Sequence, residues 1–321
     1  MAKKIVGMLS SYAGLRDQRD WLWKQTPHPF GVWGNIQMMA TAEQPDFLLL
    51  YQFDFPKAQS RPQQPWWKRW HYKNASSQLD ISSLFRGVSQ ERIIYLLREP
   101  PLEEVIPRNQ LNYSFANQYW GYVSGPDCFA KHPDYMPAIW YHANSFRELN
   151  EMGCPEKNRR CSWVTSGISR TASHRQRLAF LQLLRQNQVE FDLYGRGLPD
   201  WAQGYGSVNN KWNAMAPYYY NLSIENYAEN EWYISEKMWD SLLAWGLPIY
   251  YGGSAADKLL PQGSFLRLPS LDEKGMAYIQ EVTANLDAWY AAKEAIAEAR
   301  QIILHQFNLL AWLSNFVEQA L

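Results

Sequence analysis

Short apolar runs alternate with segments of helical period along most of the chain. In the first half, runs of strand length read KIVGML, PDFLLLYQFDF and RIIYLLRE. Runs of this length suit buried strands, and buried strands that alternate with helices are typical of parallel sheets. Between Asn109 and Tyr141, aromatic and turn residues are mixed, and the pattern predicts no element there. The first half is therefore predicted to form a sheet with one unassigned segment.

The second half shows a more regular order of strands and helices. Strands are predicted at CSWVTS, VEFDLYG, NLSIEN and LPIYYGG, and helices at HRQRLAFLQLLRQN, near MAPYYY and at SEKMWDSLLAW. The polar stretch Glu148–Arg160 separates the halves and is predicted to be a linker, and the Ala-rich stretch after residue 285 is predicted to be helical. We thus predict one domain over residues 1–155, a second over 156–285, and a helical segment over 286–321.

The charge balance limits the partners of the protein. Thirty-one Lys and Arg residues match 31 Asp and Glu residues, so no overall field favours nucleic acid or an anionic membrane. The apolar run at the N-terminus is too short for a secretion signal, and no stretch is apolar over the roughly 18 residues of a membrane-spanning helix. We therefore expect a cytoplasmic protein without a transmembrane segment. Peripheral contact with the inner membrane and the oligomeric state are left open.

Cysteines and aromatic residues add two constraints. The three cysteines lack the spacing of a zinc site, which suits a reducing compartment. The chain has 16 Trp and 20 Tyr, with a cluster in PWWKRWHY that comprises Trp66, Trp67, Trp70 and Tyr72. Trp and Tyr suit both protein cores and surfaces that stack on sugar rings, so the cluster is compatible with either role.

Cations gather where the first helix of the second half is predicted to begin. Arg170, His174, Arg175 and Arg177 follow the strand CSWVTS. Ligands of open α/β sheets bind beyond the carboxyl ends of the strands, and a helix start favours negative charge. A bound diphosphate would reconcile these cations with the helix dipole, and a solvated basic loop is the alternative.

A second group of polar residues surrounds the next helix start. The strand NLSIEN ends in Glu225 and Asn226, and Ser235 is predicted to cap the helix that begins with Glu236 and Lys237. Lys237 opposes the helix dipole, and it would be favourable beside phosphate oxygens. The alternative is an ordinary surface ion pair.

At these residues the sequence resembles glycosyltransferase family ten, the α1,3/α1,4-fucosyltransferases. The stretch YYYNLSIENYAENEWYISEKMWDSLLAWGLPIYYGGSAADKLLPQGSFLRL is similar to the donor-binding motif of the family, and RQRLAFLQLLRQNQVEFDLYGRG is similar to the segment before it. The resemblance covers most of residues 160–270 and weakens in the first half. Ile224, Tyr227 and Tyr219 depart from the usual Phe, Ser and Lys, which bears on donor preference.

The resemblance implies an α/β protein of GT-B type, in which two Rossmann-like domains face across a cleft. It further implies GDP-fucose in the second domain and an acceptor glycan in the first. In YLLREPP, Glu99 matches the carboxylate that acts as general base in the family, whereas Glu103 and Glu104 lie beyond the strand end. The residues implied to bind the donor are Arg177 and Lys237 at the phosphates, with Arg175 as the rival of Arg177; Glu236, Tyr233 and Asn226 at the nucleoside and ribose; and Tyr194 and Gly195 at the base. Glu225 is also expected at the donor site.

The implied reaction is a single displacement that inverts the anomeric centre. The acceptor is expected to be a GlcNAc- or Glc-type sugar linked α1,3 or α1,4, and its identity depends on the loops between residues 100 and 150. No D-x-D sequence is present, so we expect no metal site and no required cofactor.

Three other functions remain open at this point. A transferase of the same architecture can use another nucleotide sugar, because architecture does not determine the donor. A non-catalytic carbohydrate-binding protein would also use the aromatic residues. A dinucleotide-dependent oxidoreductase is disfavoured, since no G-x-G-x-x-G follows the first strand of either half.

Overall fold

The structure is a computed structural model, and it describes residues 2–12, 21–55 and 84–320. The predicted aromatic cluster from Trp66 to Tyr72 lies outside these residues. The described part of the chain contains two sheets, one in each half of the sequence.

The first sheet has the strand order β2-β3-β1-β4-β5-β6-β7 within the described residues. Only the edge pair of β2 and β3 is antiparallel. Its strands are β1 (Lys4–Leu9), β2 (Val32–Trp33), β3 (Ile36–Met38), β4 (Phe47–Tyr51), β5 (Ile93–Leu96), β6 (Tyr122–Gly125) and β7 (His132–Pro133). Helix α1 (Ile106–Tyr119) connects β5 to β6, and α2 (Phe146–Glu151) follows β7.

The second sheet is parallel throughout, with the order β12-β11-β10-β8-β9. Its strands are β8 (Arg159–Val164), β9 (Asp192–Tyr194), β10 (Tyr218–Ile224), β11 (Leu247–Tyr251) and β12 (Leu266–Arg267). The helices of this half are α3 (Ala172–Gln186), α4 (Glu236–Leu243), α5 (Ala255–Leu259), α6 (Glu273–Thr283), α7 (Asp287–Ile302) and α8 (Leu309–Gln319).

Strand β4 shows how the first sheet is covered on both faces. All five of its residues are buried, and successive side chains point to opposite faces. Phe47 and Leu49 join the core that contains Leu310 and Leu313 of α8, whereas Leu48 joins the core on the side of α1. The continuous apolar sequence of this strand therefore reflects helices on both sides of the sheet.

The C-terminal helices cross from the second sheet back to the first. After α7 the chain forms a π-helical turn over Ile303–Phe307, and Asn308 then leaves the helical conformation (φ −50°, ψ 133°). The Asn308 side chain donates to the Gln25 carbonyl (2.8 Å) and accepts from the Leu310 amide (2.8 Å). Ala138 hydrogen-bonds with the residues on both sides, Phe307 and Leu309. The last helix, α8, therefore packs on the sheet of the first half.

Most predicted elements are present, and three differences have physical causes. Residues Tyr218–Tyr220 belong to β10, so the helix predicted near MAPYYY is wrong; a short 3₁₀ turn over Lys211–Ala214 precedes the strand. Helix α1 was not predicted because polar Asn109 and Asn112 lie on its buried face and hide the helical period. Helix α2 occupies the start of the predicted linker.

The carboxyl edges of the two sheets face each other. Asn230, which follows β10, donates to the Pro126 carbonyl just after β6 (2.7 Å). The Ala172 amide at the start of α3 donates to the Glu104 carboxylate, which follows β5 (2.8 Å). The strand ends that position ligands in open α/β sheets thus meet across one cleft. No helix of the described residues is long and apolar enough to span a bilayer.

Lys157 connects the end of the linker to the second sheet. Its ammonium donates to the carbonyls of Ala216 (2.9 Å), Tyr218 (2.8 Å) and Ala244 (3.1 Å). We predict that Lys157→Met lowers the free energy of unfolding by about 3 kcal/mol, because carbonyls lose their donor in a buried region. Urea unfolding at pH 7 measures this loss. Lys293→Met, on the exposed face of α7, is the control, and equal stabilities of the two variants would contradict the prediction.

Candidate active site

The carboxylate of Glu225 organises the start of α4. Glu225 is 2% exposed and accepts from the Ser235 amide (2.8 Å), the Ser235 hydroxyl (2.7 Å) and the Lys237 ammonium (3.0 Å). Ser235 caps the helix as predicted, and its hydroxyl oxygen also lies 3.0 Å from the Lys237 nitrogen. Glu225, Ser235 and Lys237 are called the strand-end cluster below. Lys237 is thus held beside the carboxyl end of β10.

Arg177 lies at the adjacent strand end and is only 3% exposed. Its guanidinium donates to Oδ1 of Asn226 (2.5 Å) and to the Ser166 carbonyl (3.0 Å). Burial lowers the pKa of Arg177, and the charge of Glu225 opposes this effect. Arg175 is exposed, and among the described residues it donates to the backbone carbonyls of Ser169 and Arg170. Of the two rivals, Arg177 therefore joins the residues around β10.

The start of α3 is occupied by groups of the protein itself. Thr171 and His174 form a capping box. The Ala172 amide donates to Glu104, and backbone N–H groups, first that of Glu104 itself and then that of Ala172, hold the pKa of this carboxyl below its usual value. A helix start favours an anion, and here the first half of the chain supplies one. A phosphate at this position would have to displace Glu104.

Glu99 lies half-buried just beyond β5, on the opposite side of the cleft. Its amide and that of Arg98 both donate to the side-chain oxygen of Gln52 (3.1 and 2.8 Å). Gln52 is buried and has a left-handed backbone (φ 49°), a strained conformation for this residue type. The chain that carries Glu99 is therefore fixed by a side chain of the neighbouring strand.

Tyr233 lies among acidic residues of both halves. Its side chain is buried, and burial followed by the charges of Glu225, Glu99 and Glu236 raises its pKa well above the usual value. Tyr233 thus remains a neutral phenol, influenced by the charges of the predicted general base and of the start of α4.

Glu236 belongs to a charged network that crosses the cleft. Its Oε2 pairs with Arg98 of the first half, and its Oε1 lies 3.8 Å from Lys211, which in turn pairs with the buried Asp240 (3.0 Å). Burial acts to raise the pKa of Glu236, but Lys237, Arg98 and Lys211 together outweigh it and hold the pKa below its usual value. Glu236 is therefore an ionised carboxylate supported by cations on several sides.

Tyr194 and Gly195 are not joined to the strand-end cluster by any hydrogen bond recorded for the described residues. The Tyr194 hydroxyl shares a hydrogen bond with that of Tyr218 (2.7 Å), and its ring stacks on Tyr205 (5.3 Å between centroids). Gly195 has φ 150°, and a Cβ there would lie 1.5 Å from the Thr165 carbonyl oxygen. Close packing of the loops after β8 and β9 thus requires glycine at this position.

The cleft contains four polar residues that were not predicted from the sequence: Arg98, Gln52, Lys211 and Asp240. Arg98 had a visible signal, because it ends the apolar run of β5 directly before Glu99. Asp240 interrupts the apolar face of α4 one turn after Glu236. Such charges within apolar segments indicate a specific partner, although the sequence does not identify it. Among the described residues, no three His, Cys, Asp or Glu side chains are placed to hold a metal ion.

The two largely parallel sheets that face each other across a cleft form a fold of GT-B type, as predicted. An α-glucosyltransferase solved with UDP and a 13-mer DNA is 10% identical, with 100% of both chains covered and a TM-score of 0.56. An α1,3-fucosyltransferase solved with GDP-fucose is 14% identical, with 96% of this chain and 92% of that chain covered and a TM-score of 0.42. A trehalose-phosphate synthase from Burkholderia xenovorans is 13% identical, with coverages of 86% and 74% and a TM-score of 0.46.

Part of the second half is similar to a known enzyme family. Residues 154–292 match the model described as glycosyltransferase family 10 (fucosyltransferase) C-term. This region contains the strand-end cluster, Arg177, Asn226 and Glu236. Residues 154–292 therefore match a family ten fucosyltransferase domain, in agreement with the family and the enzyme class predicted from the sequence.

The strand-end cluster makes a testable contribution to stability. We predict that Glu225→Ala lowers the free energy of unfolding by about 3 kcal/mol, because it leaves the Ser235 amide and the Lys237 ammonium without their buried acceptor. Glu225→Gln retains one acceptor oxygen and is expected to lose less. Urea unfolding gives both values. Glu229→Gln, on the exposed loop after β10, is the control, and a stability of Glu225→Ala equal to that control would contradict the role of the cluster.

Proposed function

We propose that the protein transfers fucose from GDP-fucose to a hydroxyl group of an acceptor glycan, with inversion at the anomeric carbon and without a metal ion. The observation that carries the proposal is the contact across the cleft between Arg98, which precedes Glu99, and Glu236, which precedes Lys237 of the strand-end cluster. This cluster lies in the region that matches family ten. Burial, followed by the charges of Glu225 and Glu99, raises the pKa of Tyr233, so the predicted base and the cluster influence the same side chain. The GDP-fucose bound to the similar α1,3-fucosyltransferase suggests the donor.

Arg177 and Lys237 supply the positive charge that the leaving group needs. As the bond between fucose and GDP breaks, negative charge grows on the β-phosphate, and cations already in place stabilise it. Both cations lie at the carboxyl edge of the second sheet, bound to Asn226 and Glu225 respectively. Phosphate oxygens of the donor would accept some of these hydrogen bonds in place of Asn226 and Glu225. The negative charge of the leaving group is then stabilised by side chains, without a metal ion.

Glu99 is proposed to remove the proton of the acceptor hydroxyl as the oxygen attacks. A carboxylate acts in this way when it lies within hydrogen-bond reach of the attacking group. Attack from the face opposite to GDP converts the β-linked donor into an α-linked product. The hydrogen bonds to the Gln52 side chain hold the backbone of Glu99 in place. The adjacent loops of the first half select the acceptor, for which a GlcNAc- or Glc-type sugar is proposed.

The nucleoside is proposed to lie along the start of α4. Glu236 is ionised and accepts hydrogen bonds, which suits the hydroxyl groups of a ribose. Tyr233, Asn226 and Glu225 lie at or near the same strand end. The base pocket proposed at Tyr194 and Gly195 would lie beyond β9.

The two rival arginines are distinguished by GDP binding. We predict that Arg177→Met weakens GDP affinity about 10-fold to 100-fold, because a charge-assisted hydrogen bond to phosphate is lost. Arg175→Met is the matched control and is expected to bind as the unsubstituted protein does. Isothermal titration calorimetry measures both affinities. The reverse ranking would assign the phosphate contact to Arg175.

The general base is tested by separating chemistry from binding. We predict that Glu99→Gln lowers kcat about 100-fold to 10,000-fold, the range typical of a lost general base, and leaves GDP affinity unchanged. Glu103→Gln, four residues further on and exposed, is expected to retain full activity. Release of GDP from GDP-fucose in the presence of acceptor measures kcat. Normal turnover by Glu99→Gln would show that another group accepts the proton.

A further inference from the structure

Arg98 occupies a position that neither the family motif nor the proposed reaction explains. It follows β5 in the first half, and only 15% of its side chain is exposed. Its guanidinium donates to the Tyr141 hydroxyl (2.7 Å) and lies over the rings of Tyr141 and Tyr12 (5.1 and 5.6 Å to the centroids). Two aromatic faces and a hydroxyl thus fix its orientation. Fixing a side chain as long as Arg costs conformational entropy, which a favourable interaction of its charge has to offset.

The charge of Arg98 is directed at Glu236. One guanidinium nitrogen donates to Oε2 of this carboxylate, and the pair links residues 138 positions apart in the sequence. Because a carboxylate accepts about four hydrogen bonds, this contact leaves Oε1 available for a ligand. Lys211 is 3.8 Å from Oε1, beyond hydrogen-bond distance, and is held instead by Asp240. Among the described residues, Arg98 orients Glu236 through Oε2, and Oε1 keeps acceptor capacity for a ligand.

We propose that Arg98 is a positioning residue for the donor: it holds Glu236 in the orientation that binds the ribose, so the first half of the chain completes the nucleotide site of the second. This inference rests on the proposed function, in which Glu236 binds the ribose. Arg98 acts through Glu236 and has no contact of its own with the donor.

Arg98 also connects donor binding to the general base. Arg98 and Glu99 are consecutive, and the same oxygen of Gln52 accepts from both of their amides. A donor held by Glu236 therefore fixes, through Arg98, the strand end that carries Glu99. Orientation of Glu236 for the nucleotide and placement of the base beside the acceptor therefore depend on the same strand end.

The test is a double-mutant cycle on GDP affinity, measured by isothermal titration calorimetry. Arg98→Met is expected to weaken GDP binding about 10-fold or more, since Glu236 loses its orienting charge-assisted hydrogen bond. In a Glu236→Gln background the same change is expected to have little further effect, because the two side chains act as a unit. Arg98→Lys retains the charge and is expected to recover part of the affinity. Arg92→Met, at the exposed opposite end of β5, is the control for any cation of this strand.

The outcomes separate this inference from the proposed function. Unchanged GDP affinity of Arg98→Met, alongside weakened binding by Lys237→Met, would overturn the role of Arg98 and leave the donor site intact. An equal loss in the Glu236→Gln background would also overturn it, since Arg98 would then act by another route. Absence of GDP binding by the unsubstituted protein would overturn the proposed function, and the inference with it. Thermal unfolding of each variant checks that affinity changes do not follow from loss of the fold.

Discussion

Arg98 and Glu236 bury opposite charges between the facing edges of the two sheets, and neither charge is favourable there alone. Removing a charge from water costs several kcal/mol, and an excellent partner is needed to offset this cost. The pair therefore depends on the approach of the two halves, and the approach in turn depends on the crossing of the chain at Asn308, which returns α8 to the first sheet. A cleft with fixed geometry results.

The cations on the donor side have protein partners in the described structure. Lys237 is bound to Glu225 and Ser235, and Arg177 to Asn226 and Ser166. A phosphate would enter an arrangement of hydrogen bonds that already has the right charge and direction, so little reorganisation is needed during the reaction. These buried donors need hydrogen-bond acceptors when no ligand is bound. Glu225 performs that function by accepting from three donors.

Local patterns in the sequence predicted most helices and strands of the second half. Contacts between residues far apart in the sequence were not predicted. Strand β1 and the Ser235 cap of α4 follow from short apolar runs and from capping chemistry, and the motif around Glu236 and Lys237 identified the family. Helix α1 was missed because Asn109 and Asn112 are buried against expectation. The return of α8 to the first sheet and the partner of Arg98 depend on residues more than 100 positions away, which no periodicity reports. Tyr194, which was predicted to line the base pocket, shares a hydrogen bond with the Tyr218 hydroxyl. This contact between two strands of the sheet could not be predicted from the sequence.

The central claim is that side-chain cations and a carboxylate base transfer fucose across this cleft. The most direct measurement is release of GDP from GDP-fucose with EDTA present, across a panel of β-galactoside and N-acetylglucosamine acceptors, with GDP-mannose as the control donor. We expect turnover that is confined to GDP-fucose, requires one of these acceptors and is unaffected by EDTA. Turnover that is abolished by EDTA and restored by a divalent ion, or that is as fast with GDP-mannose, would contradict the account.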